Sequence, residues 1–393
     1  MGVVAIIGSG AAGLQAALAA RRNGADVVIC SDRGLGQSNS VLAQGGMQYP
    51  VDEASEHCLA ADMIAAGGTP PDPDRLRTFV GHIRPMVAEL IGAGLELDHD
   101  EDGSLIRRRA GGMSEPRVVT SGDRIGAPVM RLLLRQVRDS DIEIREHVTV
   151  EDVGRRGAGL VVSSGSSDIA ADAVVAATGG RAWSWASARD RPTSNPPNGN
   201  DRLFTALTAH AELATVDPDE FQYQPFGDVR SLGGDGVGKL IPESIAAAGV
   251  RILDRRGVEV VDPLAGRRTV TAAMHERLRA GLGVAADNGI EGLRLTLSDL
   301  DPDWVARHYP TLHRRLTARG DAGDDQIVAP FVHYQLGGLA VRPDGSTTLP
   351  GLYLAGEITG GLHGHNRLMG NGLTEALVGG RLAGAAAAEF SRR

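Results

Sequence analysis

The sequence predicts an α/β fold, and three observations carry that prediction. A run of apolar, mostly β-branched residues at 3–7 leads into the glycine turn GSGAAG, and an Ala/Leu-rich helical pattern follows over 14–22. A second apolar run at 27–30 completes a strand–turn–helix–strand unit at the N-terminus. Strand-then-helix signals recur as far as DAVVAATGG at 172–180. Alternation of this kind builds a parallel sheet with helices on its faces, the Rossmann-like arrangement.

Each element has a local reason. The first run, VVAII, suits a strand buried on both faces, and Asn23-Gly24 end the first helix. Residues 190–202, DRPTSNPPNGNDR, are too rich in Pro and Asn for helix or strand and read as a loop. From about 226 to 325 the character changes to scattered Gly, denser charge and no strong parallel-strand run. This stretch is expected to be an inserted α+β capping domain, with 1–225 and 326–393 forming one discontinuous domain around it. FVHYQLGGLAV and LPGLYLAGE, from 326 onward, read as strands returning to the first domain. A closing helix is expected from about 373 to 390.

Composition narrows the possibilities. The 393 residues include 53 Gly, 42% hydrophobic residues and only 4% aromatic ones, so Ala, Val, Leu and Ile must fill the core. The glycines show no triplet period, which excludes collagen, and the hydrophobic fraction argues against disorder. They mark places where backbone packs closely on backbone or on a ligand. A net charge of −9 without a long basic run speaks against a nucleic-acid partner. Cys30 and Cys58 are too few for a disulfide framework and too far apart for a metal pair. No metal is expected, and the cysteines fit a reducing cytoplasm. The apolar N-terminal stretch lacks a basic leader, and no other segment is long enough to span a bilayer. A soluble protein without a membrane partner is expected.

Gly8, Gly10 and Gly13 make the pattern G-x-G-x-x-G between strand and helix, with Ala11 and Ala12 inside it. The first glycine permits the tight turn, and the second lets backbone approach a pyrophosphate at the helix N-terminus. The third lets helix and strand pack closely. The acid that usually holds the ribose at the end of the second strand is missing. Ser31 stands there with Asp32 beside it, and Ser31 offers a ribose hydroxyl a neutral partner. This motif alone leaves the nucleotide open.

Three further segments decide it. SNSVLAQGG (38–46) follows the second strand, AATGG (176–180) ends a later one, and LYLAGE (352–357) ends another. Together with the glycine turn they resemble the FAD-binding domain of the succinate dehydrogenase, fumarate reductase and L-aspartate oxidase flavoprotein family. The resemblance covers most of the chain. It takes in GGMS followed by Arg117 and Asp123, the PNGND loop, LIPES, LAGRR, HYQLGG and HGHNRLMGNGLTEAL.

The resemblance implies FAD as cofactor, and it implies where FAD is held. Contacts fall at Ser38, Asn39, Ser40 and Gln44, at Ala177, Thr178 and Gly179, and at Asp201. Membrane-complex members attach FAD covalently through a His at the position of Asn39, so here the attachment is expected to be non-covalent. Gly45 and Gly46 are placed against the isoalloxazine, where a side chain would collide with the ring. Glu357 is placed on the ribityl chain, and the backbone at Asn371, Gly372 and Leu373 at the pyrimidine end of the flavin.

The family's chemistry is hydride exchange between a carbon of a small carboxylic acid and flavin N5, with a proton moved on the neighbouring carbon. It needs cationic donors that clamp carboxylates, a proton donor or acceptor on the opposite face, and a lid that excludes water. The resemblance gives the clamp to Arg367, in HNRL, and a supporting hydrogen bond to His333, in HYQLGG. It gives proton transfer to Arg267, in LAGRR. The family has Asp after that arginine and this chain has Arg268, so the register leaves either arginine for the role.

Other departures bear on the substrate. Gln224 stands where the family's His binds a carboxylate, and it brings a hydrogen bond without charge. Ala110 replaces the acid that recognises an amino group in L-aspartate oxidases, and Met113 replaces the following His. These changes speak against aspartate and against a symmetrical dicarboxylate. One carboxylate on Arg367 and His333, with a different group near Gln224, fits better. The sequence ends just after the FAD domain, where family members continue into a helical domain, and a free-standing enzyme is expected.

The leading expectation is therefore a soluble FAD-dependent oxidoreductase acting on a C–C or C–N bond beside a carboxylate. Amine oxidation of the L-aspartate oxidase type is the second, and a flavin-binding partner protein without turnover is the third. The presence of Arg267, His333 and Arg367 together weighs against the last. The substrate is expected to be a small carboxylic or amino acid. No second dinucleotide motif points to direct use of NAD(P)H, and the electron donor or acceptor is not named by any motif.

Overall fold

The structure is a computed structural model that describes residues 2–157, 159–165, 167–198 and 200–393. Strands β1 (Val3–Ile7) and β2 (Asp26–Cys30) pair in parallel, with helix α1 (Ala11–Arg22) between them. Ala173–Ala176 and then Leu352–Leu354 extend the sheet on one side of β1, and Ile142–Arg145 extends it beyond β2. All five strands are parallel. Val4, Ile6 and Ile29 are fully buried, as strands covered on both faces require. The turns after β1, after Ala173–Ala176 and after Leu352–Leu354 all open at carboxyl ends of strands, where open α/β sheets hold ligands.

The contact between α1 and the closing helix Asn371–Phe390 explains much of the odd composition. Gly380 and Gly384 lie against Ala12 and Ala16, where an added β-carbon would come within 2.2 and 2.1 Å of their carbonyl oxygens. The two helices therefore meet on Gly and Ala, which lets their axes approach closely and leaves little room for rings. Part of the glycine count is helix packing rather than ligand contact.

A second, antiparallel sheet stands apart from the first in topology. Phe221–Asp228 pairs with Lys239–Leu240 on one side and with Gln326–Gln335 on the other. Glu291–Leu295 and Ile252–Leu253 follow beyond. Phe226, Ile241, Leu293, Leu295 and Val328 form its core, together with apolar residues of the helices Arg267–Arg279, Pro302–His308 and Pro310–Arg319.

The segment FVHYQLGGLAV departs from expectation. It does not return to the first sheet: Gln326–Gln335 is an inner strand of the second, and only Leu352–Leu354 joins the first. The reason is burial on both faces. Val328 packs into one apolar cluster while Ile327 and Phe331 pack into another, so the strand needs neighbours and cover on both sides. Phe221–Asp228 also crosses position 226, so the sheet runs through the junction expected there.

Among the described residues, no helix is long and apolar enough to cross a membrane. Cys30 is buried and Cys58 exposed, and both are free thiols.

Candidate active site

One cavity of about 460 Å³ runs from the glycine turn of the first sheet to the inner strands of the second. Gly8, Gly10, Ala11 and Ala12 line its start, with Asp32 at the end of β2. No side chain caps α1, and its Ala11 N–H is met by the Ser40 hydroxyl at 3.0 Å. A helix N-terminus with free N–H groups behind a glycine turn is suited to phosphate. Ser38, Asn39, Gln44, Gly45 and Gly46 continue the wall, followed by Ala177, Thr178 and Gly179, and then by Glu357, Gly372 and Leu373. The buried Thr178 hydroxyl and the Asn198 amide oxygen find no hydrogen-bond partner among the described residues. A long cavity with phosphate-ready N–H groups at one end and orphaned polar atoms along it fits a flavin dinucleotide.

Four residues expected at the cofactor stand behind the wall rather than on it. Gly13 faces the protein, and a β-carbon there would lie 1.9 Å from the Gly8 carbonyl oxygen. Ser31 is buried with its hydroxyl 2.8 Å from that of Ser9, and Asp32 and Arg33 line the cavity at that point instead. Asp201 sits at the start of helix Asn200–Leu207 and faces Arg181 at 3.8 Å. Its neighbour Asn200 lines the cavity instead and donates to the Thr178 carbonyl at 2.5 Å. Gly199 of the PNGND loop lies outside the described residues. Asn371 is fully buried, and neither end of its amide finds a partner among the described residues.

The glycines of the QGG turn have a reason of their own. Gly46 has φ +76°, and a β-carbon there would come within 2.3 Å of Val118 and 2.6 Å of the Val119 carbonyl oxygen. Protein packing already forbids a side chain at Gly46, before any cofactor is considered.

The other end of the cavity is built from charged and polar side chains. Arg267, His333, Arg367 and Gln224 all line it, brought from helix Arg267–Arg279, the two inner strands of the second sheet and the loop before the closing helix. Arg367 is buried, and its guanidinium lies 4.2 Å from the centre of the Tyr334 ring. Its Nη1 reaches only its neighbour's carbonyl, at 3.3 Å from Leu368, and its Nε finds no partner among the described residues. Gly372 makes the room, since a β-carbon there would stand 3.1 Å from Nη1. Burial, then the charge of Arg267, brings the Arg367 pKa down to about 10, so it stays a cation at neutral pH.

His333 is neutral. Burial, with Arg267 and Arg367 nearby, holds its pKa well below the ordinary imidazole value. Its Nδ1 is 2.9 Å from the Ser194 hydroxyl, and the Asn195 amide ties down its own carbonyl at 2.7 Å. Gln224 turns its amide oxygen onto the Phe226 N–H at 2.5 Å, so the amide nitrogen is what it can offer a ligand.

Arg267 is the arginine that faces the cavity. Its Nε and Nη2 both lie 2.5 Å from Glu243 Oε2, and Nη1 donates to Gln222 at 3.1 Å. Arg268 points outward with its side chain 69% exposed, 3.9 Å from Glu220. Gln222 in turn donates to the Asn366 side chain at 2.8 Å and to the Arg367 carbonyl at 3.0 Å. One amide thus spans the two arginines.

Behind Arg367 lies a buried polar cluster. Glu375 accepts from the Tyr334 hydroxyl at 2.8 Å, from Thr359 at 3.2 Å and from Arg75 at 3.4 Å, and pairs with His363 at 2.9 Å. These partners outweigh the cost of burial and hold the Glu375 pKa below the usual value. Glu357 fares differently. It accepts from the Gln335 N–H at 2.9 Å, but burial pushes its pKa up to about 7.

A family model described as an FAD binding domain matches residues 3–373. The chain belongs to that family. It is an FAD-dependent oxidoreductase, similar to L-aspartate oxidase of Mycobacterium tuberculosis at 35% identity over 409 residues, covering 98% of this chain and 73% of the relative. It is also similar to a fumarate reductase (CoM/CoB) subunit of Methanothermobacter marburgensis, with 31% identity, covering 98% of this chain and 72% of the relative. Among solved structures, a FrdA mutant of E. coli quinol fumarate reductase superposes with a TM-score of 0.87 at 27% identity, over 100% of this chain and 70% of that one.

Most of the positions singled out by the family's motifs line this one cavity, and the structure adds residues that the motifs left without a role. Glu243 lies in LIPES and Tyr334 in HYQLGG, while Gln222 stands two residues before Gln224, so each lies beside a singled-out position that gave it no role. Glu375 belongs to LTEAL in the same way. Arg75 carries no sequence signal, because only the fold brings helix Pro73–Gly92 to the closing helix.

Proposed function

We propose that this oxidoreductase exchanges hydride with a small carboxylic acid, acting on a C–C or C–N bond beside the carboxylate. The observation that carries the reading is the pairing of a buried cation short of partners, Arg367, with the neutral His333 on one cavity wall. FAD, when bound, supplies the hydride acceptor or donor at N5. Asn39 has no nucleophilic side chain for a covalent link, which supports non-covalent binding along Gly8 to Ala12, Asp32, residues 38–46, 177–179 and Glu357.

Arg367 offers its free N–H groups to a carboxylate, and His333 adds a neutral hydrogen bond, so the acid is held without a second charge to desolvate. Arg267 serves proton transfer. An arginine is a poor acid unless a partner resupplies it, and Glu243 stands on two of its nitrogens at 2.5 Å. Gln222 fixes the guanidinium from the third. The second sheet and its helices act as a cap over the FAD domain, and loop 110–113 meets it: a β-carbon on Gly111 would lie 2.9 Å from the Leu264 carbonyl oxygen. That close contact ties loop 110–113 to the segment that leads into helix Arg267–Arg279.

Amine oxidation of the L-aspartate oxidase type is the second reading, favoured by the 35% identity to that enzyme. Ala110 and the uncharged Gln224 stand against it. The free thiols Cys30 and Cys58 support a cytoplasmic location. The test is anaerobic bleaching of the FAD-loaded protein by a panel of amino acids, saturated dicarboxylates and their monoacid analogues, followed by reoxidation of dye-reduced protein with unsaturated acids. Bleaching by a saturated acid, or reoxidation by its unsaturated partner, is expected. Bleaching by L-aspartate with peroxide formed in air selects the second reading, and no response to any acid in either direction contradicts both.

A further inference from the structure

We infer that the acid taken by this site carries one carboxylate only, and that its other polar group is an uncharged carbonyl received by the amide N–H of Gln224. The inference rests on the carboxylate reading above and specifies what lies beyond the carboxylate.

The strands place Gln224 beside the clamp. Gln224 stands on Phe221–Asp228, and the paired strand Gln326–Gln335 carries His333. The pairing slips at that point: Gln222 faces Tyr334 and Tyr223 faces Val332, which leaves His333 as the extra residue of a bulge. A bulge re-aims the side chain it carries, and His333 lines the cavity. Gln224 pairs with Phe331, two residues from His333, and lines the same cavity. Paired strands lie about 4.8 Å apart and two residues advance about 7 Å, so the two side chains start from neighbouring places on one sheet. On the other side, Gln222 accepts from Arg267 at 3.1 Å and donates to the Arg367 carbonyl at 3.0 Å. Gln224 is therefore the next cavity residue along the strand that spans the two arginines.

Gln224 presents a donor and nothing else. A backbone N–H can only donate, so the atom that Phe226 N–H meets at 2.5 Å is the amide oxygen Oε1. Nε2 makes no hydrogen bond among the described residues, and the side chain is buried apart from the cavity. A donor left in such a wall is satisfied by an acceptor oxygen on the ligand.

Charge decides which acceptor that is. The Arg267 charge is met by Glu243, which lies 2.5 Å from two of its nitrogens, and Gln222 takes the third. His333 is neutral. Arg367 alone in this group enters no ion pair among the described residues, and one unbalanced cation matches one carboxylate. A second carboxylate at Gln224 would lose its water for a single neutral N–H group, with no cation to offset the cost. A carbonyl oxygen is fully served by the same group. Lys239, Arg124 and Arg315 also line the cavity, but the contacts that hold them lie elsewhere. Arg315 bonds to the Leu240 carbonyl at 3.0 Å and pairs with Asp228 at 3.3 Å, and Arg124 bonds to the Val41 carbonyl at 3.3 Å.

The experiment uses the FAD-loaded protein and its flavin difference spectrum at about pH 8, where both groups of a diacid are ionised. Succinate, its monoamide succinamate and butyrate are titrated in parallel at equal flavin content. Glutarate and glutaramate repeat the comparison one methylene longer, so that length does not decide the result. Each monoamide is expected to bind about tenfold more tightly than its diacid. Butyrate, with no second polar group, should bind more weakly than succinamate. Gln224→Leu should erase the advantage of succinamate over butyrate. Gln224→Lys, which adds a cation at the same place, should reverse the order and put succinate ahead of succinamate. Monomethyl succinate and levulinate, titrated beside succinamate, separate ester, ketone and amide, and whichever binds most tightly identifies the carbonyl. Diacids that bind the wild-type protein as tightly as their monoamides, or more so, overturn this inference yet leave the Arg367 clamp standing. A spectrum untouched by every acid removes the clamp, and this inference with it.

Discussion

The two ends of the cavity are built from different materials. The cofactor end is mostly backbone: glycine turns, a helix N-terminus and strand ends held by parallel pairing. The end proposed for the acid is built from side chains, with Arg267, Arg367 and His333 held by Gln222, Glu243, Ser194 and Tyr334. A backbone site is fixed by the fold itself and tolerates change almost nowhere. A side-chain site is fixed by a few hydrogen bonds, and it can be retuned one residue at a time. The predicted substitutions separate the two.

The largest effect is expected at the acid end. Arg367→Ala should lower kcat/KM about a thousandfold or more while FAD stays bound, because the clamp is lost and the cofactor wall is untouched. Flavin content after gel filtration, measured beside turnover, checks both halves. Loss of the flavin would mean that the two ends are not separable.

The cofactor end should break by a different rule. Gly13→Ala places a β-carbon 1.9 Å from the Gly8 carbonyl oxygen, so the apoprotein should lose about 3 kcal/mol in denaturant unfolding. Gly10→Ala meets the Ser40 hydroxyl at 3.3 Å and Ser38 at 3.6 Å, side chains rather than backbone, so apoprotein stability should stay within about 0.5 kcal/mol of wild type. Its FAD affinity should nevertheless fall about tenfold, since the β-carbon stands where phosphate approaches. Equal behaviour of the two variants would show that the turn is a packing device alone.

Glu243→Gln comes next. It keeps the shape that holds Arg267 but removes the carboxylate that resupplies its proton, so kcat should fall about a hundredfold with little change in acid binding. A matching loss of binding would make Glu243 a positioning residue only.

The smallest effect concerns Glu357. Its folded pKa of about 7 lies above the unfolded value, so the ionised form is disfavoured in the folded protein. The destabilisation is absent below the unfolded pKa, grows as pH rises, and is complete above about 7. Apoprotein carrying Glu357→Gln should come close to wild type at about pH 4 and melt a few degrees higher at about pH 8. A constant difference across that range would show that Glu357 is not the group titrating.

The same contrast decides what could be read in the sequence. The glycine turn, its helix and the parallel strands were legible because local pattern and chain direction determine them, and α1 differs from expectation only in starting at Ala11. Ser31 misled because a residue at a strand end can point either way; here its hydroxyl meets Ser9 and Asp32 takes the cavity. Asp201 misled by one position, since Asn200 makes the turn's bonds. The strand Gln326–Gln335 was assigned to the wrong sheet because an apolar run does not reveal which neighbours cover it. Motif positions were enough to bring Arg367 and His333 to one cavity wall, but the choice between Arg267 and Arg268 depended on which face of helix Arg267–Arg279 met Glu243. Such pairings across distant segments leave no local trace.

The proposed function depends on a carboxylate binding at Arg367, at a site distinct from the FAD cradle. The direct measurement is a titration of the FAD-loaded protein with butyrate or succinate, followed by the flavin difference spectrum, for wild type and Arg367→Ala at equal flavin content. Wild type should give a saturable spectral change, and the variant, still holding FAD, should give none. An unchanged affinity in the variant would place the carboxylate elsewhere and remove Arg367 as its clamp.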